Sequence, residues 1–273
     1  MTTTLVIGAT GTTGSRTAAR LAAAGHRVRA ASRGGDPRFD WYAPATHAAA
    51  LDGADAVYLV PPVGDTDPAA VMLPFLRRAR DAGVRRAVLL SSSAIPRGGP
   101  AVGEVHAALP GLFDAWAVLR PSWFMQNFTG DHPHAESIRT TGTLASATGT
   151  GRVAFIDADD IAAVAAHALT AGDAPNRDLV LTGPEALGYD DIAAVLTEVT
   201  GRRVTHRRLS CEQLRERLAT RLPAEFAALL AALDRTVAEG AEDRTTGEVQ
   251  ALTGRPPACF RTVAARELAR ADR

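Results

Sequence analysis

The sequence predicts an α/β fold with a doubly wound parallel sheet, followed by a smaller and mostly helical C-terminal part. Two observations favour this fold. Short apolar runs alternate with segments of helical spacing over the first half of the chain, which is typical of parallel strands joined by right-handed crossovers. The length of 273 residues and the 46% share of hydrophobic residues are sufficient to bury the core of such a fold.

The first element is a strand, a glycine turn and a helix. The apolar residues 5–7 form the strand, and three glycines spaced by three residues follow it: Gly8, Gly11 and Gly14. The first frees the backbone at the turn, the second lets the main chain approach a phosphate, and the third allows the helix to pack closely. The N–H groups at the start of the helix then form a site for a pyrophosphate. Three hydroxyls add donors there: Thr10, Thr12 and Thr13.

The end of the second strand indicates which nucleotide binds. This strand is predicted over residues 26–31 and ends in Ser32 and Arg33. A site for NAD usually carries an Asp or Glu at this point, about 20 residues after the glycines, to bind the ribose 2′-hydroxyl. A guanidinium suits a 2′-phosphate instead. We therefore expect a Rossmann-type domain that binds NADP(H), with a solvated strand-end charge as the alternative for Arg33.

The next elements extend the sheet. Residues 33–50 form a connection beside the adenine end, and a short helix ends near Leu51. A buried strand over 55–60 ends at Pro61 and Pro62, because proline cannot continue a central strand. A helix over 67–82 leads to a strand over 86–90. Three serines follow this strand at the edge where open α/β sheets bind ligands: Ser91, Ser92 and Ser93. The alternative for each serine is that it is only a hydrophilic residue at the end of the strand and binds no ligand.

Candidate substrate contacts follow the fifth apolar run. A helix over 102–112 carries His106, and a strand over 116–119 leads into aromatic and amide residues: Trp123, Phe124, Gln126 and Asn127. Large apolar side chains with a few polar groups are typical of a ligand pocket. The alternative is that the aromatic residues belong to the core.

The C-terminal half changes in character. Short strands are predicted over 142–147 and 153–156, a helix capped by Asp157 and Asp160 follows, and a further strand covers 178–182. A helix over 190–200, a strand over 204–209 and helices interrupted at Pro223 complete this part, with a loop before a final helix. We expect residues 1–130 to bind the nucleotide and 131–273 to bind the substrate, with some elements returning to the sheet and the site in the cleft between them.

Composition excludes several classes of protein. Thirty acidic and thirty basic side chains balance, so we expect neither a nucleic-acid partner nor a membrane surface. His132 and His134 lie in a proline-bearing loop without a third ligand at telling spacing, so no metal is expected. Cys211 and Cys259 are expected to be free thiols. The start of the chain lacks a signal pattern, and we expect a cytoplasmic protein with a small-molecule substrate; a homodimer is compatible with the sequence.

Several motifs together resemble those of the NmrA-like atypical short-chain dehydrogenases/reductases over nearly the whole chain. They are GATGTTG, DAVYLVPP, VLLSSSAI, LRPSWFMQNF, FIDADDIAAVAAHAL, LTGPEALGYDDIA and the late TGRPP. Val105-His106 and LRPSWFMQNF most resemble the branch of ergot-alkaloid-type iminium reductases and NAD(P)H:quinone reductases. The resemblance implies NADP(H) bound at the glycine turn and Arg33. It also implies cofactor contacts from Pro61 and Pro62 after the fourth strand and from Ser91 to Ser93 after the fifth.

The sequence departs from the typical family pattern in its catalytic residues. Typical members use a Tyr with a Lys four residues on, but this chain contains no Lys. His106 lies near the region where relatives place an active-site Lys, so it could hold the nicotinamide ribose or act as an acid. A histidine on the helix surface is the alternative. Reduction of an iminium or a quinone needs less proton donation at the reacting carbon than reduction of a ketone.

We therefore expect an NADPH-dependent reductase that transfers hydride to a small conjugated acceptor in secondary metabolism, namely an imine or iminium, a quinone or an enone. Trp123 and Phe124 would contact the acceptor, and Gln126 and Asn127 would orient its heteroatoms. His106, Ser92 or Ser93 would supply a proton. The alternatives are a non-catalytic, redox-sensing regulator that binds NADP(H), and a non-reductive epimerase, cyclase or dehydratase on the same fold.

Overall fold

The computed structural model describes residues 2–271. The first half contains β1 (Thr3–Ile7), α1 (Thr12–Ala23), β2 (Arg27–Ala31), α2 (His47–Leu51), β3 (Ala56–Leu59), α3 (Ala69–Asp81), β4 (Arg86–Leu90), α4 (Gly103–Leu112) and β5 (Ala115–Pro121). The second half contains α5 (Pro133–Thr141), β6 (Thr143–Ser146), β7 (Arg152–Val153), α6 (Ala158–Thr170), β8 (Arg177–Leu181), β9 (Leu187–Gly188), α7 (Tyr189–Thr200), β10 (Thr205–Arg208), α8 (Cys211–Ala219), α9 (Ala224–Ala238), α10 (Glu248–Thr253) and α11 (Phe260–Ala271). Single 3-10 turns cover Pro44–Thr46 and Met125–Phe128.

The chain divides into two compact units. The first contains the residues up to Pro121 together with Ala158–Leu181 and Glu248–Gly254. The second contains Ser122–Asp157, Thr182–Gly247 and the residues from Arg255 on. The assignment of nucleotide binding to 1–130 and substrate binding to 131–273 is functional and stays a prediction.

The first unit is built on a six-stranded sheet in the order β2-β1-β3-β4-β5-β8. Every neighbouring pair is parallel, so the predicted doubly wound fold is confirmed. The chain reverses its direction of winding between β1 and β3, and ligands of open α/β sheets bind in the crevice at such a point. The centres of β1 and β3 are fully buried, because helices cover both faces of a parallel sheet.

The second unit has small sheets and an aromatic core. β6 pairs in parallel with β10, and β7 pairs antiparallel with β9. Phe128 packs edge-to-face against three other rings, whose centroids lie 5.1–5.8 Å away: Phe155, Tyr189 and Phe260. Such geometry is favoured by the ring quadrupoles. This core supports the 3-10 turn at Met125–Phe128.

Several local predictions need correction. Pro61 and Pro62 follow the third strand, and the serines follow the fourth, because residues 33–50 contain no strand of the sheet. His132 and His134 were predicted in a proline-bearing loop, but His134 lies in α5 and His132 is its N-cap, because the Nδ1 of His132 accepts from the N–H of His134. The predicted strand over 153–156 is reduced to β7 and a single bridge between Phe124 and Ile156. α10 and β9 were not predicted. In the part of the chain that the structure describes, no helix has the length and apolar character to cross a membrane.

Candidate functional site

The glycine turn brings the start of α1 directly onto the end of β1. Gly8 has a φ of +72°, and a Cβ at this position would lie 3.1 Å from the Cβ of Val60, at the end of β3. A Cβ at Gly14 would lie 2.1 Å from the carbonyl oxygen of Gly8. Side chains at these two positions are therefore excluded by backbone conformation and by close approach. The turn lies at the end of β1, beside β3, where the winding of the chain reverses and where open α/β sheets bind ligands.

The N-terminus of α1 presents free donors. Gly11 occupies the N-cap position, so no side chain caps the first turn. Thr10, Gly11 and Thr12 are exposed, whereas Thr13 is buried with its hydroxyl next to the phenol of Tyr58. Backbone N–H groups at an uncapped helix N-terminus bind anions such as a pyrophosphate. The residues present therefore fit a dinucleotide, with Thr10 and Thr12 as the accessible hydroxyls.

The carboxyl end of β2 carries two arginines. Arg33 and Arg38 are both exposed, and Ser32 pairs with Arg38 in a single parallel bridge that folds the chain back at this edge. In residues 2–271, neither guanidinium takes part in an ion pair with a carboxylate. Sequence reasoning identified Arg33 but missed Arg38, which the local bridge brings to the same edge.

The serine segment after β4 is fixed by an arginine of the neighbouring strand. The Arg120 guanidinium donates to the carbonyl oxygen of Ser93 at 2.9 Å and to Oδ2 of Asp178 at 2.7 Å. Ser92 Oγ accepts from the N–H of Ala94 at 3.3 Å. The hydroxyl of Ser91 is buried without a protein partner within the described chain. Pro61 and Pro62 are half-buried after β3.

His106 is buried, which contradicts the alternative of a surface histidine. Its side chain is 1% exposed, and neither ring nitrogen has a partner among the residues described. Burial lowers the pKa of His106, so the ring is neutral near pH 7. A buried N–H without an acceptor costs about 1–3 kcal/mol. Either the protein tolerates the loss of stability that His106 causes, or a ring nitrogen of His106 binds a ligand.

The predicted substrate segment lies in the second unit. Trp123 and Phe124 are half-buried, and the main chain beside them pairs with Ile156 at 2.9 Å. Gln126, in contrast, is 6% exposed, and its amide donates to Oδ1 of Asp157 at 2.7 Å. This contact contradicts the prediction that Gln126 orients a substrate, because its amide is used inside the protein. Asn127 is half-buried and remains a candidate for that role.

Asp157 is held from both sides. Besides Gln126, it accepts from Nη2 of Arg266 on α11, at 3.0 Å to each carboxylate oxygen. Asp157 is 1% exposed, and a buried carboxylate of this kind requires a paired cation. Sequence reasoning treated Asp157 only as a helix cap and missed Arg266. The network anchors the turn that carries Trp123 and Asn127.

A second polar network joins β6, β10 and α7. Nε2 of His206 lies 2.9 Å from Oγ of Ser146, and Nδ1 lies 3.1 Å from Oδ1 of Asp190. Ser146 is 1% exposed, so no substrate reaches its hydroxyl and the arrangement is structural. The neighbouring His134 has a pKa lowered to about 3, chiefly by burial. These histidines are neutral near pH 7.

Known proteins similar to this chain are oxidoreductases. An uncharacterised oxidoreductase, YesF of Bacillus subtilis, is 43% identical over 262 residues, which cover 93% of this chain and 91% of the relative. Agroclavine dehydrogenase of Claviceps fusiformis is 43% identical and covers 81% of this chain and 80% of its own length. Festuclavine synthase II of Penicillium roqueforti is 37% identical, with 97% and 98% covered. No family model matches the chain.

Solved structures share the fold at lower identity. A nucleoside-diphosphate-sugar epimerase of Staphylococcus aureus superposes with a TM-score of 0.80 at 19% identity, covering 97% of this chain and 100% of that chain. The NADPH-dependent quinone oxidoreductase QOR2 of Escherichia coli gives 0.75 at 22%, with 97% and 99% covered. The negative transcriptional regulator NmrA in complex with NAD gives 0.67 at 17%, with 99% and 98% covered. The same fold therefore occurs in an epimerase, a reductase and a regulator.

Proposed function

The chain belongs to the NmrA-like atypical short-chain dehydrogenase/reductase family and is an oxidoreductase, and we propose that it is an NADPH-dependent reductase. Its acceptor is a small conjugated molecule: an imine or iminium, a quinone or an enone. The observation that carries the proposal is the uncapped N-terminus of α1 beside an edge where Arg33 and Arg38 form no ion pair within residues 2–271. This combination suits a dinucleotide with an additional phosphate.

Each part of the first unit has a role in holding NADPH, which supplies the hydride when it is bound. The first turn of α1 binds the pyrophosphate through its N–H groups, with help from Thr10 and Thr12. Arg33 binds the 2′-phosphate, and Arg38 adds a second positive charge at the same edge. Ser91, Pro61 and Pro62 contact the cofactor further along the sheet edge, where Arg120 keeps the serine segment in one position.

The proton-donating groups of this chain are weak, which favours acceptors that need little acid catalysis. The tyrosines at 58 and 189 are buried, and Tyr42 donates to Asp65; no lysine exists to activate any of them. His106 is neutral, and its free ring nitrogen can donate or accept one hydrogen bond, with Ser92 and Ser93 as further candidates. Positioning of the acceptor at Trp123, Phe124 and Asn127 then contributes the larger part of the barrier reduction.

The proposal is tested by mixing the purified protein with NADPH and a panel of imines, iminium ions, quinones and enones. Loss of NADPH absorbance with at least one acceptor, at a faster rate than with NADH, is the expected result. Tight NADPH binding without turnover of any acceptor would contradict the proposal and would favour a redox-sensing regulator. The absence of the Tyr-Lys pair is equally compatible with such a regulator.

A further inference from the structure

One guanidinium of the first unit joins three neighbouring strands of the sheet. Arg120 lies near the end of β5, which is placed between β4 and β8 in the strand order. It donates to the carbonyl oxygen of Ser93, after β4, at 2.9 Å and to Oδ2 of Asp178, on β8, at 2.7 Å. Its Nε also donates to the carbonyl oxygen of Ser92 at 3.4 Å. Because the donors of a guanidinium lie in one rigid plane, the groups that it binds are held relative to one another.

The serine segment after β4 depends on this guanidinium. The N–H of Ser91 donates to the carbonyl oxygen of Leu119 at 2.7 Å, and the N–H of Ser93 donates to that of Pro121 at 2.9 Å. These two bonds continue the pairing of β4 with β5 past the end of β4, and they fix the N–H groups of the segment. Its carbonyl groups are held by Arg120, so the position of the segment depends on the position of that side chain.

Asp178 holds the guanidinium in turn. Within residues 2–271 it is the carboxylate that forms an ion pair with Arg120, whose side chain is only 16% exposed. Burial by itself would raise the pKa of Asp178, but the hydrogen bond and the charge of Arg120 lower the pKa below its usual value. The carboxylate is therefore charged near pH 7, and a hydrogen bond between two charged groups is stronger than a neutral one.

The same ion pair lies beside His106 on α4. Burial is the main reason that the pKa of His106 is lowered, and the next two influences on this pKa are the charges of Asp178, which raises it, and Arg120, which lowers it. Both charges thus act on the imidazole. The three side chains that are candidates for proton donation, Ser92, Ser93 and His106, therefore lie next to one ion pair.

A second ion pair of β8 provides a comparison. Arg177 donates from Nη1 and Nη2 to the two carboxylate oxygens of Glu248, at 2.7 Å each, and Glu248 begins α10. In the part of the chain that the structure describes, the pair of Arg177 and Glu248 has no contact with residues 91–93. Both ion pairs hold β8, but only that of Asp178 extends to the serine segment.

We propose that Asp178 is a positioning residue of the reaction: through Arg120 it holds the serine segment in the place from which its hydroxyls donate to the bound acceptor. This inference rests on the proposed reductase function and adds a residue that acts through another side chain. Donors that are already in place need no rearrangement as charge develops on the acceptor, and a displacement of about 1 Å can lower a rate on the order of 100-fold. Loss of the Asp178 charge should therefore lower kcat. Binding of NADPH should change little, because it is proposed for the glycine turn and Arg33.

Asp178→Asn and Glu248→Gln are matched variants, because each replaces one ion-paired carboxylate by the amide of the same shape. We would measure kcat and the KM for NADPH with the acceptor that wild-type protein reduces fastest, and amide hydrogen exchange by mass spectrometry. For Asp178→Asn we expect a fall in kcat of about fivefold or more, a KM for NADPH within about twofold of wild type, and clearly faster exchange in peptides that contain residues 91–94. Glu248→Gln should leave all three quantities close to those of wild type.

An unchanged kcat in Asp178→Asn, or equal losses in the two variants, would overturn the inference. Exchange of the serine segment at the wild-type rate in Asp178→Asn would overturn it as well. A failure of the proposed function gives a different result, since wild-type protein then oxidises NADPH with none of the acceptors and the exchange measurement decides alone. Faster exchange at residues 91–94 in Asp178→Asn only would then support the positioning of the segment by Asp178, and equal exchange in all three proteins would refute it.

Discussion

Asp234 on α9 is half-buried, accepts the N–H of Ala147 at 2.7 Å and has no cationic partner among residues 2–271, which predicts a gain in stability when the carboxylate is neutralised. In the folded protein burial raises the pKa of Asp234 from 3.8 to about 6, so the folded state favours the protonated form. Its contribution to stability is fully present below pH 3.8 and is lost as the pH rises through about 6. Above that pH the unpaired charge costs at most about 3 kcal/mol, since each pKa unit is equivalent to about 1.4 kcal/mol.

Asp234→Asn removes this titration and retains the acceptor for Ala147. We expect the variant to be more stable than wild type at pH 8 by about 1–3 kcal/mol, which raises the melting temperature by several degrees in a protein of this size. At pH 4 the difference should largely disappear. Urea unfolding of both proteins across this pH range, read by tryptophan fluorescence and circular dichroism, measures it. A difference that does not change with pH would refute the assignment of Asp234 as an unpaired, half-buried carboxylate.

Three further predictions concern the first unit. Arg33→Glu should weaken NADPH binding by tenfold or more and NADH binding little, as measured by fluorescence titration, and an equal effect on both would contradict the 2′-phosphate contact. His106→Leu should raise the free energy of unfolding by about 1 kcal/mol, because it removes a buried N–H without an acceptor; a simultaneous fall in turnover would assign His106 to the reaction, and unchanged kinetics would leave it structural. Gly14→Ala should abolish cofactor binding and lower stability by several kcal/mol, since its Cβ would lie 2.1 Å from the Gly8 oxygen; retained NADPH binding in calorimetry would show that the turn is not the nucleotide site.

The glycine turn and the helix that follows it were predictable because they are local. The strand, the glycines and the first turn of α1 lie within one short stretch, and each residue type there has one backbone reason to be present. The burial of one face of α4 was not predicted. Its buried face consists of residues at helical spacing, Val102, Val105, His106 and Leu109, so the spacing alone could have predicted that His106 is buried.

The polar networks were not predictable, because their members are far apart in the sequence. Arg120 and Asp178 are 58 residues apart, and Arg266 and Asp157 are 109 residues apart. Nothing in the local sequence of Gln126 indicates that its amide is used by Asp157. The sequence therefore predicted a substrate contact for a residue whose amide is hydrogen-bonded within the protein.

Among residues 2–271, the charged groups without an ion-pair partner include cations in the first unit and an anion in the second. In the first unit they are donors and cations, namely the N–H groups of α1 and the guanidiniums of Arg33 and Arg38, and such groups suit a polyanionic ligand. In the second unit the corresponding group is an anion, Asp234, which is half-buried beside Ala147. Leaving each of them unpaired lowers the stability of the free protein, whereas Arg120, Asp178, Asp157 and Arg266 satisfy one another. The unpaired groups of the first unit include those that would meet the phosphates of a dinucleotide, and their positive sign indicates the charge of the ligand that they would bind.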